Sequence, residues 1–223
     1  MKAFEKTKFY DLAAALPLFV FYGWSAWGNW PPLLEGLRKI ARVGLDGGAA
    51  VAVLVNALSV VFVGLLVVLL LLRTVPIAKS ADIFPRVAAI CGTFASILFF
   101  SLPMAHLPLL VSAISLILVA GGTLATIIAF LWLGRAFSIM PEARRLVVKG
   151  PYSVVRHPVY LFEELTLFGI MLQHAQPLSF LLLAVQFAFQ IARIHYEEEV
   201  LTASFPDYGA YAARTFRLIP GLY

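Results

Sequence analysis

The chain has little charge and almost no cysteine. Asp, Glu, Lys and Arg make up 13% of its 223 residues, about half the share of an ordinary soluble domain. With 61% hydrophobic residues and a mean hydropathy of +0.91, that scarcity excludes a disordered chain and speaks against a soluble globule. The one cysteine, Cys91, excludes an intramolecular disulfide framework and any cysteine-rich metal site. HExxH, Walker, GxGxxG and GxSxG patterns are missing, and with them the usual signatures of zinc peptidases, nucleotide-binding folds and serine hydrolases. The histidines, His106, His157, His174 and His195, form no metal-ligand spacing. Composition points to a membrane protein, with no resident metal and no nucleic-acid partner expected.

Long charge-free runs are what the chain does have. Asp11 and Glu35 bound 23 residues without a formal charge, Asp46 and Arg73 bound 26, Arg86 and Arg135 bound 48, and Glu164 and Arg193 bound 28. A helix needs about 20 residues to cross a hydrocarbon core. The run of 48 therefore holds two crossings, turned at Pro103 and Pro108 with His106 between them. These runs predict an all-α, polytopic membrane bundle of about six spans, over 10–28, 49–72, 86–103, 108–132, 158–174 and 178–194. The last two are short and joined by Gln173-His174-Ala175-Gln176-Pro177, a tight helical hairpin. Two regions are expected: amino-terminal spans over 1–134, and an interfacial loop, hairpin and carboxy-terminal segment over 135–223.

The basic residues orient this bundle. With the amino terminus in the cytoplasm, Lys2, Lys6, Lys8, Arg73, Lys79, Arg86, Arg135, Arg144, Arg145, Lys149, Arg156, Arg193, Arg214 and Arg217 fall inside, and Arg38, Lys39 and Arg42 fall in a first external loop. Fourteen against three puts both termini on the cytoplasmic side. The amino-terminal apolar stretch carries Trp24, Trp27 and Trp30 and no small-residue cleavage site, so it reads as a retained span rather than a signal peptide. Within 108–132, the small residues Ala120-Gly121-Gly122-Thr123, Ala125 and Thr126 suit close helix packing.

Polar chemistry gathers in the carboxy-terminal half. Gly150-Pro151-Tyr152 makes a turn, and Pro158 suits the first residue of a helix because its missing N–H costs nothing there. Arg156 and His157 then stand at the helix mouth, with Tyr160 about one turn in. Glu163 and Glu164 follow, and carboxylates within an apolar helix are expensive enough to be functional candidates. The last span ends in Arg193-Ile194-His195-Tyr196-Glu197-Glu198, with Arg193 and Glu197 four apart on one face. A hairpin turned at Pro177 brings Arg156, His157 and Tyr160 opposite Arg193, Glu197 and Glu198 at the cytosolic interface. A basic interfacial stretch followed by a capped helix is the bland account of the segment from Arg135 into the helix at Pro158, and pairing with an arginine from that loop is the bland account of Glu163 and Glu164; the convergence of the two clusters favours a site.

At these residues the chain resembles the isoprenylcysteine carboxyl methyltransferase family, related to the membrane phospholipid methyltransferases. The resemblance rests on Gly150-Pro151-Tyr152, Arg156-His157-Pro158-Val159-Tyr160, Arg193-Ile194-His195-Tyr196-Glu197-Glu198 with Leu201, and the closing Tyr208-Gly209-Ala210-Tyr211, Arg214 and Arg217-Leu218-Ile219-Pro220, across about residues 130–220. Phe162 and Glu163 stand where the family often has a glycine. The resemblance implies S-adenosylmethionine as cofactor, with S-adenosylhomocysteine as product, in a cytosol-facing pocket. It implies Tyr152, Arg156, His157, Tyr160, Glu197 and Glu198 as cofactor residues and Arg193 near the methyl acceptor, where it could orient a carboxylate. A carboxylate acceptor needs no general base, whereas an amine would call on Glu198 or His157. The acceptor expected is a membrane lipid or other lipophilic molecule, an isoprenylcysteine carboxylate first, with a phospholipid amine or a thiol as alternatives. A transporter or lipid-binding scaffold is the rival class. Transporters place polar groups near midplane in repeated halves, and this sequence has no clear repeat.

Overall fold

Apolar runs become helices here because a backbone inside a bilayer must satisfy its own hydrogen bonds. The computed structural model describes residues 7–44, 46–80 and 82–222. Lys2 and Lys6, counted in the charge asymmetry, lie outside these residues. Among them are eight α-helices and one two-residue strand pair, and the chain divides into two compact units, Met1–Val75 and Pro76–Tyr223. The all-α membrane bundle is the observed architecture.

The first unit holds α1 (Lys8–Ala14), α2 (Leu16–Val43) and α3 (Gly47–Leu72). Gly44, at φ +92°, ends α2, and the Asp46 carboxylate caps α3 by accepting from Ala49 N at 2.8 Å. The hairpin closes tightly at Gly36, where a Cβ would lie 2.8 Å from Val53 Cγ2. Arg73 binds Asp11 through Nε to Oδ2 at 2.8 Å and through Nη2 to the Asp11 carbonyl at 2.9 Å, both side chains buried.

Here the structure corrects the sequence. The expected span 10–28 is broken at Ala15 and then runs on through Pro31 and Pro32 to Val43. Proline's φ is helical, and the two carbonyls deprived of donors belong to Trp27 and Gly28 on the exposed face, where they can tilt outward. Arg38, Lys39 and Arg42 consequently occupy the last turns of α2 rather than a loop.

The second unit holds α4 (Ile83–Phe94), which continues as a 3-10 helix through Ser101, then α5 (Leu109–Leu133), α6 (Pro158–Gln173), α7 (Pro177–Ser204) and α8 (Tyr208–Ala212). Helix α5 packs along α6, and α4 along α7. The expected small-residue contact is real but one-sided. A Cβ on Gly122 would lie 2.9 Å from Thr166 N, and one on Gly169 would lie 2.9 Å from the Ser115 carbonyl, whereas a Cβ on Gly121 meets nothing. Ser115 Oγ also donates to the Gly169 carbonyl at 2.9 Å.

Among the described residues four helices are long and apolar enough to cross a membrane: Gly47–Leu72, Ile83–Ser101, Leu109–Ala136 and Pro177–Ser204. Two of the six expected spans fall outside that set. Helix α2 carries Glu35, Arg38, Lys39 and Arg42 in its second half. Helix α6 has 16 residues, about 24 Å of rise against a core of about 30 Å.

The two ends of the second unit differ in polarity. At one end the α6–α7 turn is tied to the α4–α5 loop, with Ala105 N donating to the Gln173 carbonyl at 2.8 Å. At the other, strands β1 (Ala78–Lys79) and β2 (Glu142–Ala143) pair antiparallel. Glu142 braces this end by binding Lys79 Nζ at 3.3 Å, Arg144 Nη2 at 2.6 Å and Ser138 Oγ at 2.8 Å. The charged loop from Arg135 to Arg156 is thereby held at one end of the helices.

Candidate active site

Gly150 sits at φ +62° with the Trp132 indole where a Cβ would be, so only glycine makes this turn. The turn delivers Tyr152, buried, and then Val155, which forms a parallel bridge to Phe216. Arg156 N donates to the Phe216 carbonyl at 2.8 Å and His157 N to that of Arg217 at 3.2 Å. The carboxy-terminal segment is thus laid along the mouth of α6. His157 occupies the N-cap position and Pro158 the first helical one, as the spacing predicts.

Every expected site residue converges at this mouth. Glu198 Oε1 accepts from Arg156 Nε at 2.7 Å and lies 3.3 Å from His157 Nε2, while its Oε2 lies 2.7 Å from Arg217 Nη2. Arg156 Nη1 donates further to the carbonyls of Ala212 at 2.6 Å and Thr215 at 2.7 Å. Glu197 Oε1 accepts from the Tyr160 hydroxyl, and its Oε2 lies 3.9 Å from His157 Nδ1. The His157 and Tyr160 rings stack with centroids 5.5 Å apart and planes 4° from parallel. Arg193 places its Cζ 4.7 Å from the centre of the Tyr160 ring on the way to a buried Gln190. Tyr152 joins through its carbonyl, which accepts from the Tyr211 hydroxyl at 2.7 Å.

Burial raises the phenols that surround this cluster. Tyr152 is pushed well above the usual tyrosine range, by burial first and then by the Glu197 charge. Tyr208 is raised for the same first reason, with Glu198 adding to it, and Tyr211 is pushed up to about 12. These three remain neutral donors at any physiological pH. The Tyr208 hydroxyl is buried beside the Glu198 carboxylate. An open groove of about 400 Å³ lies beside Arg156, lined by Ala212, Thr215, Phe216, Arg217, Gly221 and Leu222.

Some participants were not legible as such. Gln190 lies near the end of a charge-free run, three residues before Arg193. The signal was present, because Gln186, Gln190, Arg193 and Glu197 recur at spacings of four, three and four on one face of α7. His195, within the motif, instead pairs with Glu199 at 3.1 Å on the exposed side. Glu163 meets Gln190, with Nε2 3.2 Å from Oε2, rather than an arginine of the preceding loop. Among the described residues no group of three or more His, Cys, Asp or Glu side chains is placed to hold a metal ion.

Four membrane-length apolar helices, with a conjoined Arg, His, Tyr and Glu cluster at one end, define an integral membrane protein with a polar site at the helix mouths. Residues 104–208, a little under half of the chain, match the phospholipid methyltransferase family model, a family that includes the isoprenylcysteine carboxyl methyltransferases. The match contains Tyr152, Arg156, His157, Tyr160, Arg193, Glu197 and Glu198; Tyr211 and Arg217 lie beyond it. The chain is also similar to the cobalt-zinc-cadmium resistance protein CzcN of Cupriavidus metallidurans, 36% identical over 78 residues, which are 34% of this chain and 36% of that protein. It is 33% identical over 82 residues to the nickel-cobalt-cadmium resistance protein NccN of Alcaligenes xylosoxydans xylosoxydans, 36% of this chain and 38% of that protein. Both matches span little over a third of the relative's length.

Proposed function

We propose that this chain is an S-adenosylmethionine-dependent methyltransferase acting on a lipophilic acceptor at the membrane interface, with residues 135–223 as its methyl-transfer core. The observation that carries the reading is the convergence of His157 and Tyr160 from α6 with Glu197 and Glu198 from α7, inside the family-matched segment.

The residues present fit the cofactor. The Glu197 carboxylate and the ring faces of His157 and Tyr160 suit a sulfonium cation. The buried Tyr208 hydroxyl and the neutral Tyr152 phenol offer donors to a carboxylate or a ribose hydroxyl. When bound, the cofactor supplies an electrophilic methyl group on sulfur. The chain's own part is alignment and exclusion of water. Arg156 and Glu198 hold loop, hairpin and tail together, which gives Glu198 an organising role beside its candidacy as a base. Arg193 orients the acceptor.

The resemblance points first to an isoprenylcysteine-type carboxylate, which Arg193 would orient without a base. A phospholipid amine or a thiol is the second reading, favoured by the partly buried carboxylates Glu163 and Glu164 on α6, near Gln190 and Arg193. The positive-inside asymmetry supports a cytoplasmic site and cytoplasmic termini. The relatives' names describe metal resistance; for this chain the proposal extends only to a methylated membrane component in such a setting.

The test is transfer from methyl-labelled S-adenosylmethionine to a panel of prenylcysteine, phosphatidylethanolamine and small-thiol acceptors, together with calorimetric titration of S-adenosylhomocysteine. Labelled product and measurable binding are expected, with binding lost in folded His157→Ala and Glu197→Ala. Unchanged affinity in both variants overturns the site.

A further inference from the structure

Gln190 is fully buried in α7, inside a stretch that otherwise carries no polar chemistry for a turn on either side except Gln186 and Arg193. A buried amide is costly unless both its ends are satisfied. Here they are: the carbonyl oxygen accepts from Arg193 Nη1 at 3.0 Å, and the amide nitrogen donates to Glu163 Oε2 at 3.2 Å. Arginine only donates and an ionised carboxylate only accepts, so one orientation of the amide serves both neighbours and the flipped one serves neither. Gln190 therefore couples a carboxylate on α6 to a guanidinium on its own helix.

The guanidinium it holds is bounded on other sides as well. Arg193 Cζ lies 4.7 Å from the centre of the Tyr160 ring, and Tyr160 donates its hydroxyl to Glu197. Its aliphatic stem runs past Gly92 of α4, where a Cβ would come within 2.9 Å of Arg193 Cδ. One continuous line of contacts, Glu163, Gln190, Arg193, Tyr160, Glu197, runs from the interior of the α6–α7 hairpin to the mouth where the cofactor residues gather.

We propose that Glu163 and Gln190 are positioning residues for methyl transfer: as a carboxylate–amide relay they hold the Arg193 guanidinium against Tyr160 in the pose that receives the acceptor. This rests on the reading that Arg193 meets the acceptor. It does not depend on which acceptor is methylated, because the relay sets the donor's geometry rather than its partner. Arginine is suited to such a post, since its planar fork loses its directional value when it can rotate.

The experiment exchanges the two polar partners. Gln190→Leu removes the relay. Gln190→Glu alone sets two carboxylates against each other, while the double variant Glu163→Gln with Gln190→Glu restores a donor opposite an acceptor. In the labelled-methyl assay, Gln190→Leu and Gln190→Glu are expected to raise the acceptor KM at least tenfold, and the double variant to return it to within threefold of wild type. S-adenosylhomocysteine affinity is expected to stay within twofold throughout, which also certifies folding. A second readout needs no turnover: side-chain nitrogen NMR of the wild type, assigned through Arg193→Lys, is expected to show restricted guanidinium rotation, lost in Gln190→Leu and regained in the exchange variant. Unrestricted rotation in the wild type, an exchange variant no better than Gln190→Glu, or cofactor affinity falling with acceptor KM overturns the relay. A wild type with restricted rotation but no transfer to any acceptor overturns the methyl-transfer reading and leaves the holding of Arg193 standing.

Discussion

Arg156 Nε and Glu198 Oε1 lie 2.7 Å apart although 42 residues separate them, and the same guanidinium reaches the carbonyls of Ala212 and Thr215. One side chain thus joins the loop before α6, the end of α7 and the carboxy-terminal segment. Lysine cannot replace it, since a single ammonium lacks the fork that serves two directions.

Arg156→Ala leaves Glu198 short of one of its two guanidinium partners and two carbonyls without donors. A loss of about 3–5 kcal/mol is expected for breaking a pair so far buried. Arg156→Lys is expected to recover less than half of it. Thermal unfolding in detergent measures the loss, and a tail cut readily by protease in both variants is the accompanying sign.

Arg193→Ala is expected to raise the acceptor KM while S-adenosylhomocysteine binding holds. Equal loss of cofactor affinity, read by calorimetry, would transfer Arg193 to the cofactor side of the site.

The α5–α6 contact distinguishes two adjacent glycines. Gly122→Ala forces a methyl against the Thr166 backbone, and a cost of about 1–3 kcal/mol is expected from overpacking. Gly121→Ala meets open space and is expected to be neutral or stabilising by about 0.5–1 kcal/mol through helix propensity. Paired melting curves of the two variants check this.

The buried phenols set an alkaline limit. Tyr152, Tyr208 and Tyr211 titrate higher folded than unfolded, where tyrosine ionises near pH 10. Their stabilisation is therefore complete below about pH 10 and is lost as pH rises through the folded value, about 12 for Tyr211. Phenolate absorbance and helicity are expected to change together over that range. Tyr211→Phe leaves the buried Tyr152 carbonyl without its donor, at an expected cost of about 1–3 kcal/mol near neutral pH.

Much of the fold was legible because a bilayer imposes a length on apolar helices. Helices α3, α5 and α6 begin and end within a few residues of the runs that predict them. Helix α2 departs from the expected span 10–28 for a physical reason: proline's φ is compatible with a helix, so the chain stays helical through Pro31 and Pro32 with the freed carbonyls facing outward. The site was legible where its residues sit beside turn chemistry, as Arg156 and His157 do before Pro158.

By itself the sequence determined the membrane class, the helical hairpin about Pro177 and the ends at which charge collects, because hydrophobic run length and turn residues are local properties. Only the tertiary structure decided that Glu198 gathers Arg156, His157 and Arg217, that Gly122 rather than Gly121 touches α6, and that Gln190 stands between Glu163 and Arg193. Those facts depend on the angle and distance at which helices meet, and a buried hydrogen bond is sensitive to differences of a few tenths of an ångström that no pattern along the chain encodes.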